Sequence, residues 1–545
     1  MSQTPLRVGI VGAGVAGLYS AMLLRKHGHI VHIFEASNRV GGRIYTHRFN
    51  TQEDQYFEAG AMRLPDSSFQ KIVYDLIDHL NTSPSLPEHM RIKRIPYILN
   101  SPGNFVHING RRYTNDTLST ASAAVMTPRA LDWEVPAEYL DKSAGDLLNA
   151  ALEPLVKELR VDFEQGFQSL LRFDHMSFRF YLQVEVGWPA KVIDFVETVT
   201  SQTNQFTLSV TELVMQHMDF GTKEWYTIER GMDRLPEAMA HVVGLDNITF
   251  GARVSGIRSV NGVVHIVAKG YDQNIEADFD KVLLAVPPAA LKMISDRPRW
   301  GIEKEMAIRS LHFEPLYKMG MLFRTRFWEK HTRGGQSTTD LPIRWIVYPS
   351  NGIGSEGPGA LLLYAWMTDA ETWLPLQLHE RRSLAVHCLQ QLYPDVNIAS
   401  QLLETFDVAW SAKSSTGDAM FLPGQFTARF DIAHQPESAS GAGTPNVFFA
   451  GEHLSKHHTW IAGALESALY AVRQIVQHEV QALEPVVADH FTIVPDVVSL
   501  AKLPVAFSDM LSIGDRSDSL NGITHANFAV DIVNDEASGT VQVLS

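Results

Sequence analysis

The sequence lacks the features that mark secreted, membrane-spanning or nucleic-acid-binding proteins. Its 545 residues contain a single cysteine, Cys388, so no disulfide forms within the chain, and the apolar helical pattern around it indicates an inert core residue. No apolar run approaches the length that crosses a bilayer, and no signal peptide precedes the first expected strand. The formal net charge of −15 is opposite in sign to the face that binds nucleic acid. We therefore expect a cytoplasmic protein without a membrane or nucleic-acid partner.

The length exceeds what one hydrophobic core organises, so we expect several domains. Buried β-branched runs predict strands, and apolar spacings of three and four residues predict helices. Strands are predicted at 6–11, 30–34, 248–250, 254–260, 263–268, 281–286, 316–323, 344–348, 360–366 and 446–450. Helices are predicted at 18–28, 146–159, 192–199, 380–392 and 460–480, with another from residue 289. Asn261-Gly262 between two of these strands is a strong hairpin signal.

The first predicted strand runs directly into a glycine-rich turn. Gly12, Gly14 and Gly17 have the G-x-G-x-x-G spacing that opens a dinucleotide-binding helix. The first glycine allows the tight turn, the second lets the backbone approach a pyrophosphate, and the third lets the helix pack on the strand. The N-terminus of that helix offers free N–H groups to phosphates. Glu35, at the end of the second strand, is placed to accept hydrogen bonds from ribose hydroxyls, so the unit predicts a dinucleotide site.

The nucleotide-binding element is predicted to be discontinuous. One part opens the chain, and the strand at 446–450, followed by Gly451-Glu452-His453 and a helix, completes it. Nicotinamide dehydrogenases usually finish this domain in one continuous stretch, so the pattern points away from them.

Three segments resemble the flavin amine oxidase family, and most closely its L-amino-acid oxidases. They are Glu35-Ala-Ser-Asn-Arg-Val-Gly-Gly-Arg43, Glu58-Ala-Gly-Ala-Met-Arg-Leu-Pro65 and Phe448-Phe-Ala-Gly-Glu-His453, the last followed by Trp460-Ile-Ala-Gly-Ala-Leu465. The resemblance covers most of residues 6–480. It implies an α/β protein with a discontinuous Rossmann-type FAD-binding domain, a mixed-sheet α+β substrate domain and a helical insertion.

The resemblance also implies domain limits and a non-covalent FAD. The FAD-binding domain is expected at 1–64, 235–312 and 440–482, the substrate-binding domain at 65–115, 226–234 and 313–439, the helical insertion at 116–225, and a C-terminal extension of unknown role at 483–545. Thr416 and Gly417 stand in the region where monoamine oxidases keep a flavin-linking cysteine and a cage tyrosine. A covalent flavin and an amine-only pocket are therefore not expected.

Roles of the cofactor residues follow from the resemblance. Arg43 would reach the pyrophosphate as a fixed cation, residues 60–63 would lie along the isoalloxazine, and the backbone of Val254 would touch adenine. Glu452 would bind the diphosphate–ribityl region, and the helix after Thr459 would point its N-terminus at the flavin pyrimidine carbonyl. The full expected set is Gly12, Gly14, Val15, Ala16, Gly17, Glu35, Ala36, Arg43, Gly60, Ala61, Met62, Arg63, Val254, Glu452, Trp460, Ile461, Ala462 and Ala464.

Arg63 is the residue that we expect to bind the substrate. An α-carboxylate favours a planar, bidentate, permanently charged partner, which arginine supplies and lysine does not. Arg63 has the G-x-M-R-x-P context of the carboxylate-binding arginine in L-amino-acid oxidases, and the alternative is a structural arginine in the first turn of a helix. Tyr364 matches the tyrosine that adds a second hydrogen bond to the carboxylate, with a core tyrosine as the alternative.

Lys318 and Trp460 complete the expected catalytic set. Because side chains alternate between the two faces of a strand, Lys318 shares a face with apolar residues, where an unpaired lysine is costly to bury. The matching lysine of the family holds a water near flavin N5, where O2 is activated, and the alternative is an edge-strand lysine that blocks aggregation. Trp460 would form a wall of the substrate pocket with Thr459 beside it, although an aromatic at such a position is often plain core.

These assignments imply oxidative deamination of L-amino acids by O2 to 2-oxo acids, ammonia and H2O2. A monoamine or polyamine oxidase, an amino-acid 2-monooxygenase, and a flavoprotein that serves as a non-catalytic binding module stay open as alternatives. The sequence identifies no general base and no preferred side chain. A homodimer or higher homo-oligomer is the default for such an enzyme.

Acids and histidines near the motifs give weaker signals. Asp219, Asp418 and Trp410 fall in regions that we expect to border the pocket, where an acid would favour Lys or Arg as substrate, although a single Asp is more commonly a surface residue. No histidine has a metal-ligand spacing, so no metal is expected. We interpret as structural the histidines His175, His217, His457 and His458.

Overall fold

The computed structural model describes residues 4–120, 126–413 and 416–476. These residues belong to the first of two compact units, Met1–Phe491. The extension predicted at 483–545 and the last residues of the helix predicted to reach 480 lie outside the described residues. Among the described helices, none has both the length and the apolar character that a membrane crossing needs.

The strands of the described chain form five sheets. In chain order they are β1 (Arg7–Val11), β2 (Ile30–Phe34), β3 (Thr46–Arg48), β4 (Tyr56–Glu58), β5 (Leu64–Pro65), β6 (Arg94–Pro96), β7 (Phe105–Ile108), β8 (Arg111–Thr114), β9 (Trp225–Ile228), β10 (Ile248–Thr249), β11 (Arg253–Val260), β12 (Val263–Lys269), β13 (Asn274–Phe279), β14 (Lys281–Leu284), β15 (Leu316–Phe323), β16 (Gln336–Thr339), β17 (Trp345–Val347), β18 (Gly359–Trp366), β19 (Leu402–Ala409) and β20 (Val447–Phe449).

Helices cover these sheets and fill the segment between β8 and β9. The described α-helices are α1 (Val15–Lys26), α2 (Lys71–Thr82), α3 (Asn115–Thr120), α4 (Ala144–Val161), α5 (Phe163–Leu170), α6 (Phe178–Val184), α7 (Ala190–Val199), α8 (Val210–Asp219), α9 (Arg234–Val243), α10 (Pro288–Lys292), α11 (Ile302–Ser310), α12 (Met367–Glu371), α13 (Leu378–Leu392), α14 (Ile398–Gln401), α15 (Asp431–His434) and α16 (Ile461–Ile475).

The first two strands form the middle of a five-stranded parallel sheet, in the order β10-β2-β1-β14-β20. β1 pairs with β2 from Arg7↔Ile30 to Val11↔Phe34 and with β14 on its other side. Most of these side chains are buried, as expected of parallel strands that are covered on both faces. Because β20 comes from the far end of the described chain, the predicted discontinuous Rossmann-type sheet is confirmed.

Two helices begin at the carboxyl edge of this sheet, where open α/β sheets bind their ligands. α1 follows β1 and α16 follows β20, and the two helices pack on each other. A Cβ added at Gly17 would lie only 2.0 Å from the Gly12 carbonyl oxygen. The third glycine of the motif therefore allows the close approach of helix and turn, as the sequence predicts.

A second, antiparallel sheet has the order β11-β12-β13. Its first hairpin turns at Asn261 and Gly262, with φ angles of 52° and 86°. Two positive φ angles are what a type I′ turn requires, so the predicted hairpin is confirmed.

The third layer is a seven-stranded mixed sheet, ordered β19-β15-β18-β17-β16-β7-β8. β15 is flanked by β18 and β19, both antiparallel to it, and only β16 and β7 pair in parallel. Lys318 pairs with Tyr364 on one side and Val408 on the other. The alternative interpretation of Lys318 as an edge-strand lysine is therefore wrong.

Helices α4 to α8 occupy most of the segment predicted as a helical insertion. The apolar face of α4 is buried, and α4 packs against α7 and α8. Ser143, Asp162, Ser177 and Ser209 cap these helices by accepting a hydrogen bond from a first-turn N–H. The division of the chain into flavin, substrate and insertion domains stays a prediction.

The predicted strands and helices are present, with ends that differ by a few residues. The predicted strand at 281–286 ends earlier, at Leu284, and the predicted helix from 460 begins at Ile461. Strands that the sequence did not predict include β5, of two residues, and the half-exposed β19. These segments have too few residues or too little alternation to give a periodic signal.

Candidate functional site

A cavity of about 500 Å³ extends from the glycine turn to the seven-stranded sheet. Its walls come from the start of α1, the segments 41–44 and 60–63, β15 and β18, and the first turn of α16. Residues of the helical segment, among them Leu152, Phe206 and Phe220, complete the wall. The volume lies within the range of small-molecule sites.

Main-chain groups dominate the end of the cavity near β1. α1 has Gly14 as N-cap, with no side-chain cap and no acid in its first turn. A Cβ at Gly14 would meet nothing within 4 Å, so the space beside this glycine is open. Glu35 lies beside the turn and accepts hydrogen bonds from the N–H groups of Ala13 and Ser37, each at 2.8 Å. This end therefore presents uncapped N–H groups to an anion.

An ion pair lies at the middle of the cavity. Arg43 donates to Glu452 at 2.7 Å and to the Gly417 carbonyl at 2.9 Å. Burial by itself raises the pKa of Glu452, but Arg43 and two nearby histidines outweigh this effect and lower it below its ordinary value. Glu452 also accepts from the Thr459 N–H at 3.0 Å, and this bond ties the pair to the start of α16.

The segment before α16 is strained. Thr459 has a φ of 73°, in the left-handed region that a β-branched residue rarely adopts. The next residue, Trp460, is the N-cap of α16, which has no side-chain cap and no acid in its first turn. A second uncapped helix N-terminus thus reaches the same cavity.

Two buried histidines hold this strained segment against α8. His457 Nδ1 lies 3.0 Å from Asp219 Oδ1, and His458 Nδ1 lies 2.7 Å from Glu212 Oε2. Burial lowers the pKa of both imidazoles, but the carboxylate partners outweigh it, and both pKa values are raised above the ordinary value. Asp219 is engaged here and is not among the cavity-lining residues, so the expectation that it borders the pocket is wrong.

Arg63 lies in an aromatic cage on the cavity wall. Its guanidinium carbon is 5.0 Å from the ring centre of Phe220, 5.6 Å from Trp225 and 5.9 Å from Trp345. Nη1 donates to Gln336 at 3.2 Å, and no carboxylate in the described part of the chain forms a salt bridge with it. Arg63 directly precedes β5, so the alternative of an arginine in a first helical turn is wrong.

Tyr364 and Trp460 contact this cage from two sides. The Tyr364 ring centre is 6.3 Å from that of Trp345, and the Trp460 ring centre is 5.3 Å from that of Phe220. Both side chains also line the cavity, as does Thr459. The structure thus brings together the four residues that the sequence assigns to the substrate.

Lys318 points from β15 toward the segment 58–60. Its Nζ donates to the Gly60 carbonyl at 2.6 Å and lies 4.6 Å from the ring centre of Tyr364. Burial lowers the pKa of Lys318 to about 7, against the opposing effect of Asp418. Burial raises the pKa of the neighbouring Glu58 to about 8. Both groups can therefore change protonation near neutral pH.

Two acids, Glu314 and Asp418, line the cavity wall beside Lys318 and Tyr364. The Glu314 N–H donates to the Asp418 carbonyl at 2.9 Å. Burial, followed by the charge of Asp418, raises the pKa of Glu314 well above its ordinary value, and burial raises the pKa of Asp418 to about 6. Asp418 and Trp410 thus border the cavity as expected from the sequence.

Two methionines of the cavity wall have hydrogen-bonded thioethers. Met62 Sδ accepts from the Tyr97 hydroxyl at 3.9 Å, and Met420 Sδ accepts from the Gln216 amide. Both methionines line the wall. Cys388, in contrast, is only 2% exposed and packs in the core between the seven-stranded sheet and α13.

Most of the predicted site residues line one cavity. Gly17 and Ala462 do not, because Gly17 packs against the Gly12 turn and Ala462 is fully buried. His217, interpreted as structural, does line the wall. Whether these residues bind cofactor and substrate as assigned stays a prediction. Sequence reasoning missed the lining residues Gln205, Gln216, Phe220 and Glu314, and also Gln336, because they belong to no motif. Among the described residues, no group of histidine, cysteine or acidic side chains could hold a metal ion.

Comparison with known proteins gives relatives among amine and amino-acid oxidases. A bifunctional amine oxidase candidate of Dictyostelium discoideum is 33% identical over 527 residues, which cover 88% of this chain and 47% of that protein. The chain thus spans about half the length of that relative. L-amino-acid oxidase 4 of Hebeloma cylindrosporum is 29% identical over 531 residues, covering 86% of this chain and 81% of that protein.

Solved structures share the fold. A putrescine oxidase variant superposes with a TM-score of 0.67 at 19% identity, over 87% of this chain and 100% of that chain. The likeness confirms the predicted Rossmann-type α/β fold. The family description "flavin containing amine oxidoreductase" matches residues 15–476. Because this match spans most of the sequence, the chain belongs to the flavin-containing amine oxidoreductase family.

Proposed function

We propose that the chain is an FAD-dependent L-amino-acid oxidase that forms 2-oxo acids, ammonia and H2O2. One observation carries this proposal: the Arg63 guanidinium lies on the cavity wall among aromatic rings. It has no carboxylate partner among the described residues. Charges in such surroundings normally have a counter-ion. The α-carboxylate of an amino acid supplies one, and a simple amine does not.

The cavity has the features that a dinucleotide needs. Two uncapped helix N-termini, of α1 and α16, and the open space at Gly14 suit phosphates and a carbonyl that gains negative charge. We propose that FAD binds non-covalently, because Thr416 and Gly417 line the cavity and Cys388 lies outside it. When bound, FAD supplies the acceptor for the substrate hydride and passes electrons to O2.

The proposed contribution of the chain is orientation. Arg63 and Tyr364 would hold the substrate carboxylate, fixing Cα–H in one direction, and Trp460 would limit lateral movement. Lys318, held by the Gly60 carbonyl, has an amine that gains or loses a proton near neutral pH. It is therefore suited to hold a water and exchange a proton during the reaction with O2. We assign no general base for the substrate ammonium.

The test is an anaerobic titration of the purified flavoprotein with L-amino acids, their D-enantiomers and the matching amines. Bleaching of the flavin by L-amino acids only, with H2O2 formed once air is admitted, is the expected result. Bleaching by amines alone would remove the carboxylate role from Arg63 and reject the proposal.

An amine oxidase is the second candidate. Its support is the Dictyostelium relative, named for amine oxidation, and the fold shared with a putrescine oxidase. The same titration separates the two, because an amine oxidase would reduce its flavin equally well with a substrate that lacks the carboxylate.

A further inference from the structure

We propose that Glu314 and Asp418 bind a cationic group at the far end of the substrate, so that the preferred L-amino acids carry an amine or guanidinium side chain. This inference rests on the proposed oxidation of L-amino acids and names the side-chain class within it. We call the part of the cavity wall formed by Glu314 and Asp418 the acidic end.

Glu314 has an unsatisfied oxygen on the cavity wall. The residue is 3% exposed, and its Oε2 has no hydrogen-bond partner among the described residues. Buried carboxyl oxygens in native proteins nearly always have a donor. Because Glu314 lines the cavity, a donor on the ligand is the natural partner for this oxygen.

The cations around the cavity form no salt bridge with the acidic end, although the charges of Arg43 and Lys318 lower the pKa of Asp418 against the effect of burial. Arg43 is paired with Glu452 at 2.7 Å, Lys318 donates to main-chain carbonyls, and Arg63 contacts aromatic rings and Gln336. Within residues 4–120, 126–413 and 416–476, neither Glu314 nor Asp418 forms a salt bridge. Two adjacent buried acids without a salt-bridge partner favour a ligand that brings a positive charge, because such a ligand stabilises their ionised form.

Tyr364 is affected by the charges of both the acidic end and Arg63. Burial raises the pKa of its hydroxyl well above the usual value, Glu314 and Asp418 raise it further, and Arg63 lowers it. The hydroxyl is thus within electrostatic reach of the proposed carboxylate partner and of both acids. Leu316 and Trp366 also line the cavity and offer apolar surface to the methylene chain of a lysine-like substrate.

The experiment compares L-lysine with L-norleucine, which has the same carbon chain but no terminal ammonium. We expect the wild-type flavoprotein to have a kcat/KM for L-lysine at least about tenfold higher, since hydrogen bonds to charged groups are worth this much. Glu314→Gln keeps the shape and removes the charge, and it is expected to lower the lysine-to-norleucine ratio about 10- to 100-fold. Asp418→Asn is expected to lower the same ratio and serves if Glu314→Gln does not fold.

Asp174→Asn is the matched control. Asp174 is a fully buried acid outside the cavity that accepts from the Thr427 N–H at 2.9 Å, so the ratio should keep its wild-type value. A wild-type ratio near one, a ratio unchanged in both cavity variants, or an equal drop in Asp174→Asn would overturn the proposal.

Cadaverine and pentylamine separate this inference from the proposed function. If these amines are oxidised and no L-amino acid is, the L-amino-acid assignment fails. A cadaverine-to-pentylamine preference that Glu314→Gln removes would then still support the acidic end. Equal oxidation of both amines, or no oxidation of any of these compounds, would overturn it as well.

Discussion

The two ends of the cavity are built from different parts of the polypeptide. At the β1 end, the wall is mostly backbone: the glycine turn, the uncapped start of α1 and the hydrogen-bonded Glu35. At the other end, side chains from β15, β18, the 416–420 loop and the helical segment converge. Arg63, Gln336 and Phe220 meet there although they are far apart in sequence.

Under the proposed function, the backbone end binds the cofactor, which is always the same molecule. The side-chain end selects the substrate, which can vary. Backbone N–H groups and glycine contacts are fixed by local geometry and tolerate few substitutions. Side chains that meet across distant segments can change one at a time, with little effect on the fold. We therefore expect substitutions at the backbone end to weaken cofactor binding, and substitutions at the side-chain end to change the kinetics with substrate.

The largest effect is expected at the third glycine. Gly17→Ala would place a Cβ 2.0 Å from the Gly12 oxygen, so helix and turn must separate, and we expect no flavin-loaded protein. Gly14→Ala meets nothing within 4 Å and should keep the apoprotein melting temperature while weakening FAD binding about tenfold or more, because the methyl occupies the phosphate approach.

Flavin fluorescence titration and apoprotein Tm measure the two effects separately. Gly145→Ala, in the first turn of α4 with equally open space, is the control: it should leave the FAD affinity unchanged and raise the apoprotein Tm slightly, because alanine favours the helix more than glycine does. Normal FAD affinity in Gly14→Ala would mean that the backbone end does not bind the pyrophosphate.

At the side-chain end, Arg63→Ala is expected to lower kcat/KM for L-amino acids about 100- to 1,000-fold, because the substrate carboxylate loses its charged partner. The flavin absorbance should remain. Arg112→Ala removes an arginine that also lies over an aromatic ring, 3.9 Å from the centre of Phe105, but outside the cavity, and it should retain wild-type kinetics. An unchanged KM in Arg63→Ala contradicts the carboxylate assignment.

Glu58, a buried acid on β4 that accepts hydrogen bonds from Thr46 and Met232, is expected to make stability depend on pH. Its folded-state pKa of about 8 lies above the ordinary 4.5, so the folded chain keeps the proton that the unfolded chain releases. Stability therefore falls as the pH rises from about 4.5 to about 8. Glu58→Gln should match the wild-type Tm near pH 5 and exceed it by several degrees near pH 8. Glu371→Gln, at an exposed position, is the control, and a Tm difference that is constant with pH would contradict the assignment.

The smallest effect is expected at Thr459. Its φ of 73° is unfavourable for a β-branched residue, so Thr459→Gly should stabilise the apoprotein by about 1 kcal/mol. Thr459→Ser keeps the Cβ and should give little gain in Tm. Equal Tm values for the two variants would show that the backbone angle stores no strain.

The contrast between the local backbone end and the side-chain end built from distant segments also explains which parts of the site the sequence could predict. The strand, glycines and Glu35 of the first unit interact over about thirty residues, so a local pattern predicted the sheet and its nucleotide end. Asn261-Gly262 was equally local. Glu314 and Gln336, by contrast, belong to no motif, and their place depends on how β15 and β16 pack against distant segments. Asp219 was misplaced because a sequence pattern cannot tell that it faces His457.

The methionines of the cavity wall affect how long such an oxidase would remain active. H2O2 formed in the cavity would arise next to Met62 and Met420, which line its wall, whereas the one thiol, Cys388, is buried in a separate core. Gradual inactivation during turnover should then follow formation of methionine sulfoxide, which sulfoxide reductases reverse, instead of irreversible thiol oxidation. The working lifetime of the catalyst would depend on repair as well as on folding stability.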